Sequence, residues 1–164
     1  GGGMPIGIIG ISKKIEEKIK KNDLKIFFGG TFSGNSIATH IGKMTTEYII
    51  KNKKNIFPFL KEKAIFFQNE INSFLNENEI NAKCYRFESM LRIVFTNKKI
   101  RDRLQRDSCE LQNIKGIKRF RNFLLDKGVY YPNNGIIFVS TKTSQSDLIK
   151  VLDLFKKGLK QFIK

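Results

Sequence analysis

The sequence predicts an α/β chain: the end of a larger α/β unit over residues 1–53, then a small α+β domain over 54–164 with a mainly antiparallel sheet. Three observations carry this expectation. Glycine-dense segments at Gly1–Gly3 and Gly29–Gly34 punctuate short apolar runs and lead into helical periods. Residues 82–87 and 91–95 alternate apolar with polar, the period of half-buried strands. Ile149, Leu152, Phe155, Leu159 and Phe162 recur at helical spacing near the end of the chain.

Taken in order, residues 1–11 read as a turn followed by a short apolar strand. Ser12 to Lys21 reads as a charged helix, with Ser12 as N-cap and Glu16 and Glu17 in its first turns. Leu24 to Phe28 is a short apolar run closed by Gly29 and Gly30. From Asn35 a helical pattern runs through Ile37, Ile41, Met44 and Tyr48 to about Lys53. A second helix is expected around Pro58, because proline is tolerated in a first turn. The stretch Lys98 to Gln112 is charged and reads as a solvated loop or a mobile helix. Ile117 to Asp126 reads as a helix stopped by Lys127-Gly128. Pro132-Asn133-Asn134-Gly135 is a turn into the strand Ile136–Ser140, and Ser144 or Ser146 caps the final helix.

The chain has 164 residues and is 40% hydrophobic, enough for a real core. Its net charge of +16 invites a nucleic-acid reading. The lysines are dispersed among Glu and Asn, however, which is the pattern of solvated helix faces and argues against a nucleic-acid partner. Cys84 and Cys109 stand far apart with no CxxC pair. This spacing suggests a reducing, cytoplasmic setting and neither a disulfide framework nor a metal site. No apolar run is long enough to span a membrane. With three glycines and no N-cap ahead of an apolar run, residue 1 is expected to be a cut edge.

The chemistry concentrates in Gly30-Thr31-Phe32-Ser33-Gly34-Asn35. Glycines leave backbone N–H groups open to an anion, Thr31 and Ser33 add hydroxyl donors, and the following helix turns its positive end the same way. The bland alternative is a loop that merely caps the helix, with Ser33 or Asn35 as N-cap. Taken together, GGGxPxG at residues 1–7 and GGTFSGN at residues 29–35 resemble the segment after the cofactor-bearing lysine in class III pyridoxal-phosphate (PLP) aminotransferases of the glutamate-1-semialdehyde aminomutase type. Glu88–Thr96, Phe123–Tyr130 with Pro132, and Phe138-Val139-Ser140 resemble later segments of that family in the same order.

The resemblance implies the C-terminal part of a fold-type I PLP-dependent transferase. It implies a homodimer with active sites at the subunit interface, and Gly30 and Thr31 contacting the phosphate of PLP. It implies transfer of an amino group from a small-molecule amine to an aldehyde or keto substrate through pyridoxamine phosphate. The cofactor-bearing lysine would lie just upstream of Gly1, so no lysine of this chain takes that role, and the chain alone would be inactive. Two departures stand out. Ser36 replaces the family's common Pro, and the turn at Pro132–Ile136 is short and lacks the family's Glu, which bears on the semialdehyde substrate. Residues Lys98–Gln112 look more like members acting on sugar precursors.

Two other features compete. His40, the single histidine, falls beside an apolar stripe and reads as a packing or surface residue. Arg101, Arg103, Arg106, Lys115, Lys118, Arg119 and Arg121, with Phe120 and Phe123 nearby, form the best candidate for RNA or polyanion binding. The bland reading turns the two phenylalanines into the core. A non-catalytic relative that keeps the fold is a third possibility.

Overall fold

A computed structural model describes residues 2–23, 25–27, 29–31 and 33–163. The chain divides into two compact units, Gly1–Lys53 and Lys54–Lys164. In the first, Ser12 caps helix α1 (Lys13–Lys21), its Oγ accepting the Ile15 N–H at 3.4 Å. Residues 2–4 turn as expected, but residues 5–12 form no strand. Ile8 and Ile9 are 79% and 80% exposed. An apolar run becomes a strand only where a neighbour accepts its backbone bonds, and the described residues of this unit contain no strand. Lys25–Phe27 also lacks regular structure, while Leu24 and Phe28 lie outside the described residues.

Asn35 starts helix α2, its Oδ1 accepting the Ala38 N–H at 3.0 Å. The helix then runs unbroken over Ser36–Glu77, where two helices were expected. Pro58 lies inside it and removes one backbone hydrogen bond, an interior cost of about 3 kcal/mol. Two facts explain its tolerance. Pro58 is on the exposed side, where water can meet the orphaned carbonyl. Downstream, Ala64, Phe67, Ile71 and Leu75 continue one buried stripe. Burying each large side chain contributes about 1.5–3 kcal/mol, which more than offsets one lost bond.

Strands β1 (Lys83–Phe87) and β2 (Met90–Val94) form the antiparallel hairpin that the alternation predicted, with Cys84 opposite Ile93 and Phe87 opposite Met90. Helix α3 (Arg103–Leu111) follows, capped by Asp102, whose Oδ1 accepts the Gln105 N–H at 2.9 Å. Helix α4 (Ile114–Asp126) ends where Lys127-Gly128 signalled. There Val129 N–H bonds to Leu124 O at 2.8 Å and Gly128 N–H to Leu125 O at 2.9 Å, a Schellman closure. Strand β3 (Ile136–Phe138) joins β2 antiparallel, giving the order β1-β2-β3. Helix α5 (Gln145–Phe162) opens with a Ser144–Asp147 capping box.

The core of the second unit lies where α2, α4 and α5 meet the inner face of the sheet. Phe67, Ile71, Phe120, Leu124, Leu152, Phe155 and Leu159 pack there on Cys84, Leu91 and Ile93. Helix α2 also reaches β1 through polar side chains. Asn72 Oδ1 accepts the Cys84 N–H at 2.8 Å, while Asn72 Nδ2 and Gln68 Nε2 each donate to Cys84 O at 3.0 Å.

Both thiols are free, Cys84 buried and Cys109 half-buried. Burial pushes the Cys84 thiol up to about 12 from an ordinary 9.0. A raised thiol is neutral in both states at low pH, and its contribution to stability is then intact. Above pH 9 the unfolded thiol ionises while the folded one stays protonated, so stability falls as pH climbs towards 12. Native protein titrated with a thiol reagent near neutral pH is therefore expected to modify Cys109 well before Cys84. Equal rates at the two thiols would contradict the burial of Cys84.

Candidate functional site

The Gly30–Asn35 segment forms a turn on the surface of the first unit. Ser33 N–H closes it on Gly30 O at 2.9 Å. Gly34 has φ of +73°, a conformation that side chains beyond Cβ-free glycine resist. A Cβ on Gly30 would stand 3.1 Å from Ser33 Oγ, so a side chain there would crowd the turn. Thr31 and Ser33 are exposed, and Phe32 lies outside the described residues.

The turn leads straight into α2, whose first turn carries no acidic side chain. Thr39 locks that turn, its Oγ1 donating to Asn35 O at 2.9 Å and Ser36 O at 3.1 Å. An anion approaching here meets hydroxyls, bare backbone and the positive end of a long helix, with no carboxylate to repel it. Gly30, Thr31, Ser33 and Asn35 border one open cleft with Pro5, Ile6 and Gly7. The opening segment and the GTFSGN segment thus share a cleft, although Gly2 and Gly3 do not line it, and Gly1 lies outside the described residues.

In the arginine cluster the two phenylalanines pack towards the core. Phe120 is 0% exposed in the core, and Phe123 is half-buried. Arg103 Nε and Arg106 Nη2 pair with Asp107 at 3.3 and 2.5 Å. A hydrogen bond from Arg106, reinforced by Arg103, holds the Asp107 carboxyl below the usual carboxylate range. Arg121 Nη1 donates to Asn133 Oδ1 at 2.6 Å. His40 is exposed on α2. Sequence reading missed one feature, the half-buried pair between Arg92 on β2 and Glu110 on α3, Nη2 to Oε2 at 3.0 Å. The signal was an arginine in the middle of an alternating strand. Its partner lies 18 residues away, beyond the reach of local pattern. Among the described residues no group of three His, Cys, Asp or Glu side chains could hold a metal ion, and no helix is long and apolar enough to cross a membrane.

No family model matches the chain. Curated relatives do. A glutamate-1-semialdehyde 2,1-aminomutase from Methanosphaera stadtmanae is 31% identical over 166 residues, spanning 100% of this chain and 38% of the relative. Another from Syntrophomonas wolfei is 28% identical over 98% of this chain and 36% of its own length. The chain thus spans a little over a third of the length of these relatives. Among solved structures, a glutamate-1-semialdehyde-aminomutase variant from Pseudomonas aeruginosa PAO1, in complex with PMP, matches with a TM-score of 0.74 at 16% identity. That match covers 93% of this chain and 35% of the other. An omega-transaminase from Sphaerobacter thermophilus matches with a TM-score of 0.68 at 16% identity, over 84% of this chain and 30% of the other. The fold is therefore the C-terminal part of a fold-type I PLP-dependent transferase. Similarity along the whole chain and a shared fold lead to one conclusion: the chain resembles, from end to end, the C-terminal portion of PLP-dependent transferases of the glutamate-1-semialdehyde 2,1-aminomutase type.

Proposed function

We propose that this chain serves a PLP-dependent aminotransferase or aminomutase, with residues 1–53 ending the large cofactor-binding domain and 54–164 forming the small domain. The observation that carries the proposal is the exposed Gly30–Asn35 turn at the acid-free start of α2. A phosphate dianion fits that turn: Gly30 leaves no side chain in the way, Thr31 and Ser33 offer hydroxyls, and α2 contributes its positive end. In this reading Gly30 and Thr31 hold the phosphate of PLP bound mainly by the neighbouring subunit of a homodimer. When bound, PLP supplies the electron sink for amino-group chemistry and carries the amino group as pyridoxamine phosphate between a small amine and an aldehyde or keto acceptor.

This chain's part is positional. Thr39 ties the first turn of α2 to Asn35 and Ser36, which fixes the helix start that follows the turn. The lysine that bears the cofactor belongs, on this proposal, to sequence preceding Gly1. Two free thiols fit a reducing, cytoplasmic setting.

Thr31→Ala in the complete protein tests the reading through the dissociation constant for PLP. A hydrogen bond to a charged group contributes about 1.5–3 kcal/mol, so PLP should dissociate about tenfold more readily or beyond. Thr31→Ser, which keeps the hydroxyl, should stay near the parent. Unchanged PLP affinity in Thr31→Ala would remove Thr31 from the cofactor site.

A further inference from the structure

A cavity of about 250 Å³ lies within the second unit, between α3, α4 and the 131–135 turn. Two arginines, Arg92 and Arg121, and two carboxylates, Asp107 and Glu110, border it. The lining charges balance, but Arg103 and Arg106, just outside the lining, also pair with those carboxylates. Asp107 is held by Arg103 and Arg106, and Glu110 by Arg92 at 3.0 Å, with Arg106 at 3.9 Å. Four arginines thus stand against two carboxylates. Arg121 makes no ion pair among the described residues and spends its Nη1 on Asn133.

The Arg92–Glu110 contact is a one-point pairing. Arg92 Nε and Glu110 Oε1 are buried without a hydrogen-bond partner. A two-point fork would use both faces of the pairing, whereas this one-point contact leaves donor capacity on the guanidinium unused. The turn makes room for it. Gly135, with φ of +68°, has no side chain, and a Cβ there would stand 3.4 Å from Arg92 Nη1 and 3.1 Å from the Tyr131 hydroxyl. The lining also contains the apolar side chains Ile93, Leu111, Ile114 and Ile117.

We propose that this cavity binds a small monocarboxylate with an apolar tail, its charge at Arg121 and Arg92 and its tail on Ile114 and Ile117. Ligand sites typically measure about 300–1,000 Å³, so this one is too small for a nucleotide. The apolar side chains favour an acid with a hydrocarbon end over inorganic phosphate, and the planar guanidinium suits a carboxylate.

Calorimetric titration of the complete protein with isovalerate tests the proposal, with isovaleramide and acetate as probes lacking the charge and the tail. Isovalerate should bind saturably and about tenfold tighter than either control. Arg121→Gln should abolish that preference. Leu111→Glu, at an exposed position where the core is not disturbed, should weaken isovalerate binding by repulsion. Absence of saturation, equal binding of isovaleramide, or full binding in both variants would overturn the proposal.

Discussion

Replacing Phe120 by alanine is expected to cost about 3–5 kcal/mol of stability. The ring is fully buried and meets Phe95, Tyr131 and Phe155 edge-on, at centroid distances of 6.1, 5.6 and 5.4 Å. Edge-on pairs of this kind contribute about 0.5–1.5 kcal/mol each beyond area burial. The site is also poorly placed to collapse. Gly158 of α5 faces the ring so closely that a Cβ there would lie 2.8 Å from Phe120 Cδ2. The other side of the ring is therefore a helix backbone, which cannot relax into the hole as a side chain could. The resulting cavity should persist and place the loss towards the upper part of the range. Urea unfolding of the parent and Phe120→Ala would measure it. A loss under about 1 kcal/mol would mean that the ring is not the centre of this core.

Asn72→Leu should cost about 2–3 kcal/mol for a different reason. The leucine fits the volume but cannot serve the Cys84 backbone. Gln68 still donates to Cys84 O, so the carbonyl keeps one partner. The N–H loses its acceptor, and Cys84 is 0% exposed, so water cannot replace Asn72 Oδ1. The variant then bears the full desolvation penalty of a buried donor. Hydrogen exchange gives a local readout: the Cys84 amide should lose protection before its neighbours on β1. Retained protection with unchanged stability would show that the N–H has found another acceptor.

These two residues also mark where sequence reading succeeds and stops. The hairpin, the α4 stop at Lys127-Gly128 and the Ser144 cap were legible because each is a local device: alternation, a left-handed stop, a side-chain oxygen three residues from an N–H. The hydroxyl and glycine content of Gly30–Asn35 was legible for the same reason. Helix α2 was misread as two because Pro58 is a strong local breaker, while the buried stripe that carries the helix past it is a tertiary fact. The run Ile6–Ile11 misled in the opposite direction, since apolar content alone cannot supply a strand with a partner. Helix α3 was left open between loop and helix. Its Asp102 cap is local, but its tie to the sheet through Glu110 and Arg92 is not. The Asn72–Cys84 link joins a helix side chain to a strand backbone and leaves no periodic trace at all.

That link has a consequence for solubility. A terminal strand normally shows a row of open amides and carbonyls, and a second molecule can stitch itself onto that row to begin a fibre. On β1 part of the row is already taken, because Asn72 and Gln68 occupy both backbone groups of Cys84, the second residue of the strand. At the far side of the sheet, β3 is only three residues long, a poor template for an incoming chain. Strand pairing onto Cys84 therefore has to wait until the Gln68–Asn72 turn of α2 pulls away. The helix that supports the core doubles as a guard against intermolecular strand pairing.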